Sequence, residues 1–135
     1  MAADLGRLAA AGPWQAERVR ELPASLVDHW LTLPQTAEEL GVTASRVHQL
    51  LREHQLAAVR SSETGAVAIP AAFVAAGQIV KGLPGTLTLL ADRGLSVEEA
   101  VEWLFTADDS LPGRPIDALR ADRGKEVRRR AQVIV

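Results

Sequence analysis

Ser45, Arg46, His48, Gln49 and Arg52 crowd into one short stretch and, wound into a helix, share one face. Every one of these side chains can donate a hydrogen bond, and two of them carry a fixed positive charge. Donors of this kind suit phosphate oxygens and the edges of bases in a major groove. An ordinary surface helix would carry more carboxylates there. An arginine forks onto guanine and a glutamine onto adenine, so Arg46 and Gln49 are expected to read base edges. Thr43, Ser45 and Arg52, together with Arg60 further on, would then hold the sugar–phosphate backbone.

The residues around this face supply what is needed to position it. From Thr36 to Arg52 the chain reads TAEELGVTASRVHQLLR. Ala37 is small enough for two helices to approach, and Leu40 buries the end of the first. Gly41 supplies the positive φ of a sharp turn, and Val42 plugs the corner. Thr43 is the expected N-cap of the second helix, on which Val47, Leu50 and Leu51 recur at the three- and four-residue spacing of an apolar stripe. This pattern predicts a helix-turn-helix. After it, LAAVR (56–60) and AVAI (66–69) flank SSETG, a polar turn ending in glycine, which predicts a short hairpin or wing. A wing beside a recognition helix usually rests on the nucleic-acid backbone or in the minor groove, so Arg60, Ser61, Ser62 and Thr64 join the candidate phosphate contacts. A three-helix module of the same shape that binds a protein is the competing reading, because fold alone does not fix function.

The expected architecture is mainly α with a small β-hairpin wing. A partly disordered tail (1–24) precedes a winged helix-turn-helix (25–75), which is followed by a helical C-terminal subdomain (76–135). In the tail, WQAERVREL suggests a short helix ended near Pro23. SLVDHWLTL leads into Pro34, which opens the first helix of the motif with Trp30 and Leu33 packing beneath it. The segment PAAFVAAGQIVKGLPG reads as a bridge, with Phe73, Val74, Ile79, Val80 and Leu83 contributing core before a break at Pro84-Gly85. From Thr86 a helix runs until Gly94 closes it. Ser96 and Glu99 then form a capping box for another helix, with Val97, Ala100, Val101, Leu104 and Phe105 on its buried side. Glu98, Glu99 and Glu102 read as a solvated first turn complementing the helix dipole. LPGRPIDAL fixes a loop against a helix start near Asp117, and a last helix runs through KEVRRRAQVIV. Between Arg114 and Arg130 seven basic residues face three acidic ones, a surplus of four. Arg128 to Arg130 read either as an auxiliary phosphate contact or as a solvated face paired with the acidic helix, and the second is simpler.

Charge moderates the DNA reading. The chain has a formal net charge of −2, and residues 36–70 hold Arg46, Arg52 and Arg60 against Glu38, Glu39, Glu53 and Glu63. Non-specific affinity should be weak and salt-sensitive, and a dimer would double the positive footprint. With 47% hydrophobic residues the chain can bury one core, or two small ones sharing a surface. It has no cysteine, which excludes disulfides and thiolate metal sites and fits a reducing cytoplasm. No apolar run approaches a membrane span, and the N-terminus lacks the pattern of a signal peptide. His29, His48 and His54 have no metal-ligand spacing, no nucleophile sits in a glycine elbow, and no glycine loop cradles a phosphate. Neither an enzyme nor a cofactor is implied.

Past residue 30 the chain resembles a family of small actinobacterial winged helix-turn-helix DNA-binding proteins, described in mycobacteria as substrates of the serine/threonine kinase PknL. The matching stretches are LPQTAEELGVTASRVHQLLREHQLAAVR, VAIPAAFVAAGQIVKGLPGTLTLL, WLFTADDSL, RPIDAL and EVRRRAQ. The resemblance implies double-stranded DNA as partner and Thr43 through Glu53 as recognition helix. Together with the donor face on the second helix, this makes a transcriptional regulator or architectural protein on the nucleoid in the cytoplasm the expected function. The resemblance also implies a serine/threonine kinase as partner, through a threonine in the N-terminal tail whose phosphorylation weakens DNA binding. Here the tail has no threonine before Thr32 and no serine before Ser25, although a phosphate on Thr43 or Ser45 would repel DNA directly. SVEEAVEWLFTADDSLPGRPIDAL is also similar to the toxin-binding domain of Xre-type antitoxins. That similarity implies a different function, self-association or a protein partner, with Trp103 and Arg114 as candidate contacts.

Overall fold

The computed structural model describes residues 26–60, 66–108, 111 and 113–134. The short helix expected upstream of Pro23 lies outside them.

A two-residue strand, β1 (Trp30–Leu31), runs into α1 (Leu33–Leu40). Thr32 caps α1 reciprocally with Gln35: the Gln35 N–H donates to Thr32 Oγ1 at 3.1 Å, and the Thr32 N–H donates to Gln35 Oε1 at 2.8 Å. Pro34 sits in the first turn, where the missing N–H costs nothing. Thr36 is fully buried, and its hydroxyl donates to the Thr32 carbonyl at 2.9 Å. A hydroxyl left without that bond would cost about 1–3 kcal/mol. Gly41 ends the helix at φ 69°, ψ 34°, the left-handed conformation expected of it. After α2 (Ala44–Arg52) come β2 (Val59–Arg60) and β3 (Val67–Pro70). β3 is the middle strand of a three-stranded antiparallel sheet in the order β1-β3-β2. Trp30 faces Pro70 and Leu31 faces Ile69, while Val59 faces Ala68 and Arg60 faces Val67. The expected wing is present, and the tip of its turn, 61–65, is outside the described residues.

The expected bridge has structure of its own. A 3₁₀ turn (Ala71–Phe73) leads to a second hairpin of β4 (Val74–Ala75) and β5 (Gln78–Ile79). Its two turn residues, Ala76 and Gly77, both have positive φ, 53° and 78°, as a tight hairpin turn requires. Nor is Pro84-Gly85 a break. α3 (Leu83–Asp92) already includes both residues, with Gly82 at its N-cap and the proline in the first turn. Thr86, fully buried, repeats the device of Thr36 by donating to the Gly82 carbonyl at 2.8 Å. Then follow α4 (Val97–Leu104) with the expected Ser96/Glu99 capping box, α5 (Pro115–Arg120) and α6 (Gly124–Gln132). One expected core residue lies outside: Val97 is 47% exposed. It belongs to the apolar stripe of α4 but stands at the helix start, on the rim of a cleft, where no element among the described residues covers it.

The fold is therefore mostly helical, a winged helix-turn-helix followed by a helical C-terminal region, and a single apolar cluster runs through both parts. Val27, Val47, Leu50, Ile69 and Phe73 from the first join Leu83, Leu90, Leu104, Phe105, Ile116 and Val127 from the second. α4 packs against β2, and α3 packs against α4 and α6. Phe73 and Phe105 meet with ring centroids 5.7 Å apart, a spacing at which aromatic pairs add about 0.5–1.5 kcal/mol beyond burial. The Arg120 guanidinium donates to the carbonyls of Ala72 at 2.7 Å and Val74 at 3.3 Å. Polar and apolar contacts together fix the second hairpin to the C-terminal helices.

Candidate nucleic-acid interface

The local sequence of α2 decides which of its faces is free. Thr43 is extended (φ −79°, ψ 162°), and its hydroxyl oxygen accepts from the Arg46 N–H at 3.1 Å. That bond satisfies one of the orphan donors of the first turn and fixes where the helix begins. Val47 and Leu50 are then buried, with Leu51 partly covered beside them. Everything else on the helix is turned outward: Ala44, Ser45, Arg46, His48, Gln49 and Arg52 are all exposed, as is Thr43. The five donor side chains singled out from the sequence therefore share one solvent face. Among the described residues, Arg46 and Arg52 make no ion pair. Gln49 is held, its Nε2 donating to Glu53 Oε2 at 3.0 Å, a bond that an adenine edge would have to replace. Arg60 is exposed on the wing strand opposite Val67, itself 45% exposed. Ser61, Ser62 and Thr64 lie outside the described residues.

Arg114 and Trp103, the candidate partner contacts, sit elsewhere. Trp103 is partly buried against the core. Arg114 is engaged within the chain. Its guanidinium forks onto Asp117, Nε to Oδ2 at 2.8 Å and Nη2 to Oδ1 at 3.0 Å, and reaches Asp28 at 3.5 Å. It also lies over the Phe105 ring, 5.3 Å from the centroid. The hydrogen bonds between them hold the Asp117 carboxyl below its ordinary range and raise Arg114 above its own. Asp28, which the sequence did not single out, thus ties the segment before β1 to the C-terminal half. Only the structure reveals that pairing, since the partners are far apart in the chain.

A second group of cations lies on α6. Lys125, Arg128 and Arg129 are exposed, whereas Val127 and Ala131 on the opposite side are fully buried. Arg123 is paired with Glu126 at 3.4 Å, and Arg130 with Asp108 at 3.6 Å. The basic run is therefore divided, and its pairing partners in these two cases are not on the acidic helix α4. Among the described residues no group of histidines and carboxylates could hold a metal ion, and no helix is long and apolar enough to cross a membrane.

Residues 22–74 match the family model described as the wHTH domain of DNA-binding protein Rv2175c. Residues 80–134 match the Rv2175c C-terminal domain of unknown function. The chain is 47% identical over 115 residues to DNA-binding protein Rv2175c of Mycobacterium tuberculosis (strain ATCC 25618 / H37Rv), an alignment that covers 76% of this chain and 77% of that protein. It is also similar to the solved NMR structure of Rv2175c, with a TM-score of 0.71 at 42% identity over 92% of this chain and 96% of the other.

Proposed function

The chain belongs to the Rv2175c family of winged helix-turn-helix proteins, and from that premise we propose that it binds duplex DNA by laying α2 in the major groove. The observation that carries this reading is the outward face of α2. Its apolar stripe is buried, while Arg46 and Arg52 stand in solvent with no ion-pair partner among the described residues. Arg46 and Gln49 read base edges, with Gln49 exchanging Glu53 for an adenine. Thr43, Ser45, His48, Arg52 and Arg60 position the backbone, joined by the wing tip with Ser61, Ser62 and Thr64. The protein works as a transcriptional regulator or as an architectural protein on nucleoid DNA in the cytoplasm. Thr43 and Ser45 are exposed, so a serine/threonine kinase acting on either would switch binding off by placing a phosphate against the DNA backbone. An antitoxin-like interaction through Trp103 and Arg114 draws less from the geometry, because Arg114 is already bonded to Asp117 and Asp28.

Selection of bound duplexes from a random pool, run on the wild type and on Arg46→Ala/Gln49→Ala, tests the assignment. An enriched motif lost in the variant supports sequence-specific regulation. Retention without enrichment supports the architectural role, and no retention of any duplex by the wild type overturns DNA binding.

A further inference from the structure

We propose that the outer face of α6 is a second phosphate-binding surface that takes a separate DNA duplex, so that one molecule bridges two duplexes. This rests on the α2 reading above and gives a role to the C-terminal half.

The first argument is charge. Residues 22–74 carry Arg46, Arg52 and Arg60 against Asp28, Glu38, Glu39, Glu53 and Glu63, so the segment that holds α2 is a net anion. Affinity for a polyanion rises with the number of cations brought to its phosphates, and here those cations are concentrated elsewhere. α6 holds Lys125, Arg128, Arg129 and Arg130 against the single acid Glu126. Lys125, Arg128 and Arg129 follow one another at three and one residues and share a face. The exposed Gln132 extends the same face by a further donor. Among the described residues none of the three cations makes an ion pair. They are long donors already standing in water, which a phosphate backbone can engage with little rearrangement.

The second argument is direction. α6 buries Val127 and Ala131 and packs mainly on α3 and α5. A Cβ on Gly82, at the start of α3, would lie 3.7 Å from Gly124, at the start of α6, so the two helices set out side by side. α3 presents Leu87 and Ala91 to a cleft of about 210 Å³, whose other walls include Leu51 at the end of α2 and His54 after it. α3 therefore stands between α6 and the recognition helix. The cationic strip of α6, opposite its buried side, points away from α2. A duplex lying on α2 leaves that strip open to another.

The test immobilises one duplex on beads and offers a second, fluorescent duplex in solution, with full-length protein at about 50 mM salt. Wild type should capture the fluorescent duplex. Lys125→Gln/Arg128→Gln/Arg129→Gln should be retained on the beads within about twofold of wild type yet capture at least tenfold less. Lys125→Arg/Arg128→Lys/Arg129→Lys, which keeps the charges, should capture normally and so ties the loss to charge, while retention of the glutamine variant on the beads excludes a folding defect. If all three cations neutralise phosphates, capture should fall about 40-fold between about 50 and 200 mM salt. Wild type that is retained but captures nothing overturns the bridge and leaves the α2 reading intact. So does undiminished capture by the glutamine variant, as expected of a dimer bridging through two copies of α2. Wild type that is not retained at all overturns both.

Discussion

Thr43 offers a way to separate the stability of α2 from its contact with DNA. Its hydroxyl oxygen accepts from the Arg46 N–H at 3.1 Å, and in the proposed complex the same side chain stands against a phosphate. Thr43→Ala removes the cap and should cost about 1 kcal/mol, a fall in Tm of about 4–5 °C for a folded unit of this size. Thr43→Asp supplies an equally good cap, and its charge gains about 0.3–1 kcal/mol from the helix N-terminus. Its Tm should equal or exceed that of the wild type. On DNA the order changes. The aspartate sets a negative charge against the backbone, so affinity should fall more than tenfold, over about 1.4 kcal/mol, and the salt slope should shrink by about one contact. Thr43→Ser should be near wild type in both respects.

The assay is thermal unfolding followed by circular dichroism, paired with fluorescence anisotropy on one duplex at two salt concentrations. The informative result is the divergence of the aspartate variant, at least as stable as the wild type and yet poor at binding. If Thr43→Asp melts as low as Thr43→Ala, the cap does not control the helix start. If it binds DNA as tightly as the wild type, the N-terminus of α2 is not near phosphates and the docking geometry is wrong.

The two turn glycines should rank by their surroundings. Gly41→Ala meets nothing within 4 Å and should cost only the left-handed backbone, about 1–2 kcal/mol. Gly82→Ala adds to φ 87° a contact of 3.0 Å with Leu119 Cδ2 and should cost more, so equal urea midpoints would contradict the packing. For Arg114→Gln the acid limb is diagnostic. Asp117 is held below its ordinary value of 3.8, so its stabilisation is fully present above that pH and fades as pH falls through the lower folded value. The variant should be less stable at neutral pH and lose less of its Tm below pH 3.8 than the wild type, and parallel Tm profiles would refute the ion pair's contribution.

The helix-turn-helix was legible because its signals are local. Gly41 sets the turn, Thr43 sets the start of α2, and the spacing of Val47, Leu50 and Leu51 chooses the buried face, all within a few residues of one another. The wing was legible for the same reason. β1 was not, since a two-residue strand has no period of its own and exists through pairing with β3, distant in sequence. The hairpin of β4 and β5 turns through Ala76-Gly77, and an alanine in a left-handed position gives no warning where an asparagine would. Pro84-Gly85 misled because the same dipeptide suits a break or a helix's first turn, and buried Thr86, bonded back to Gly82, decides between them. Of the candidate site, the donor face on α2 could be read from sequence. That Arg114 also reaches Asp28, and that Arg130 serves Asp108, could not, because those pairings depend on tertiary approach, unlike the local pair of Arg114 with Asp117 three residues on.

The shared core makes a last claim about α2 itself. Phe105 is 3% exposed and packs on fully buried Phe73, one ring from the C-terminal helices and one from the segment that follows the wing. Phe105→Ala leaves a cavity and should cost about 3–5 kcal/mol, a large share of the roughly 5–15 kcal/mol that holds a domain together. If the two halves unfold as one unit, this loss reaches the recognition helix. Hydrogen exchange at the amides of Val47 and Leu50 should then quicken by about a hundredfold or more, in step with Leu104, because each 1.4 kcal/mol is about tenfold. Exchange in α2 that stays at the wild-type rate while α4 opens, or a melt that splits in two, would show that the helix-turn-helix stands alone. The joint outcome would mean that DNA affinity depends on C-terminal packing even where no C-terminal residue touches DNA.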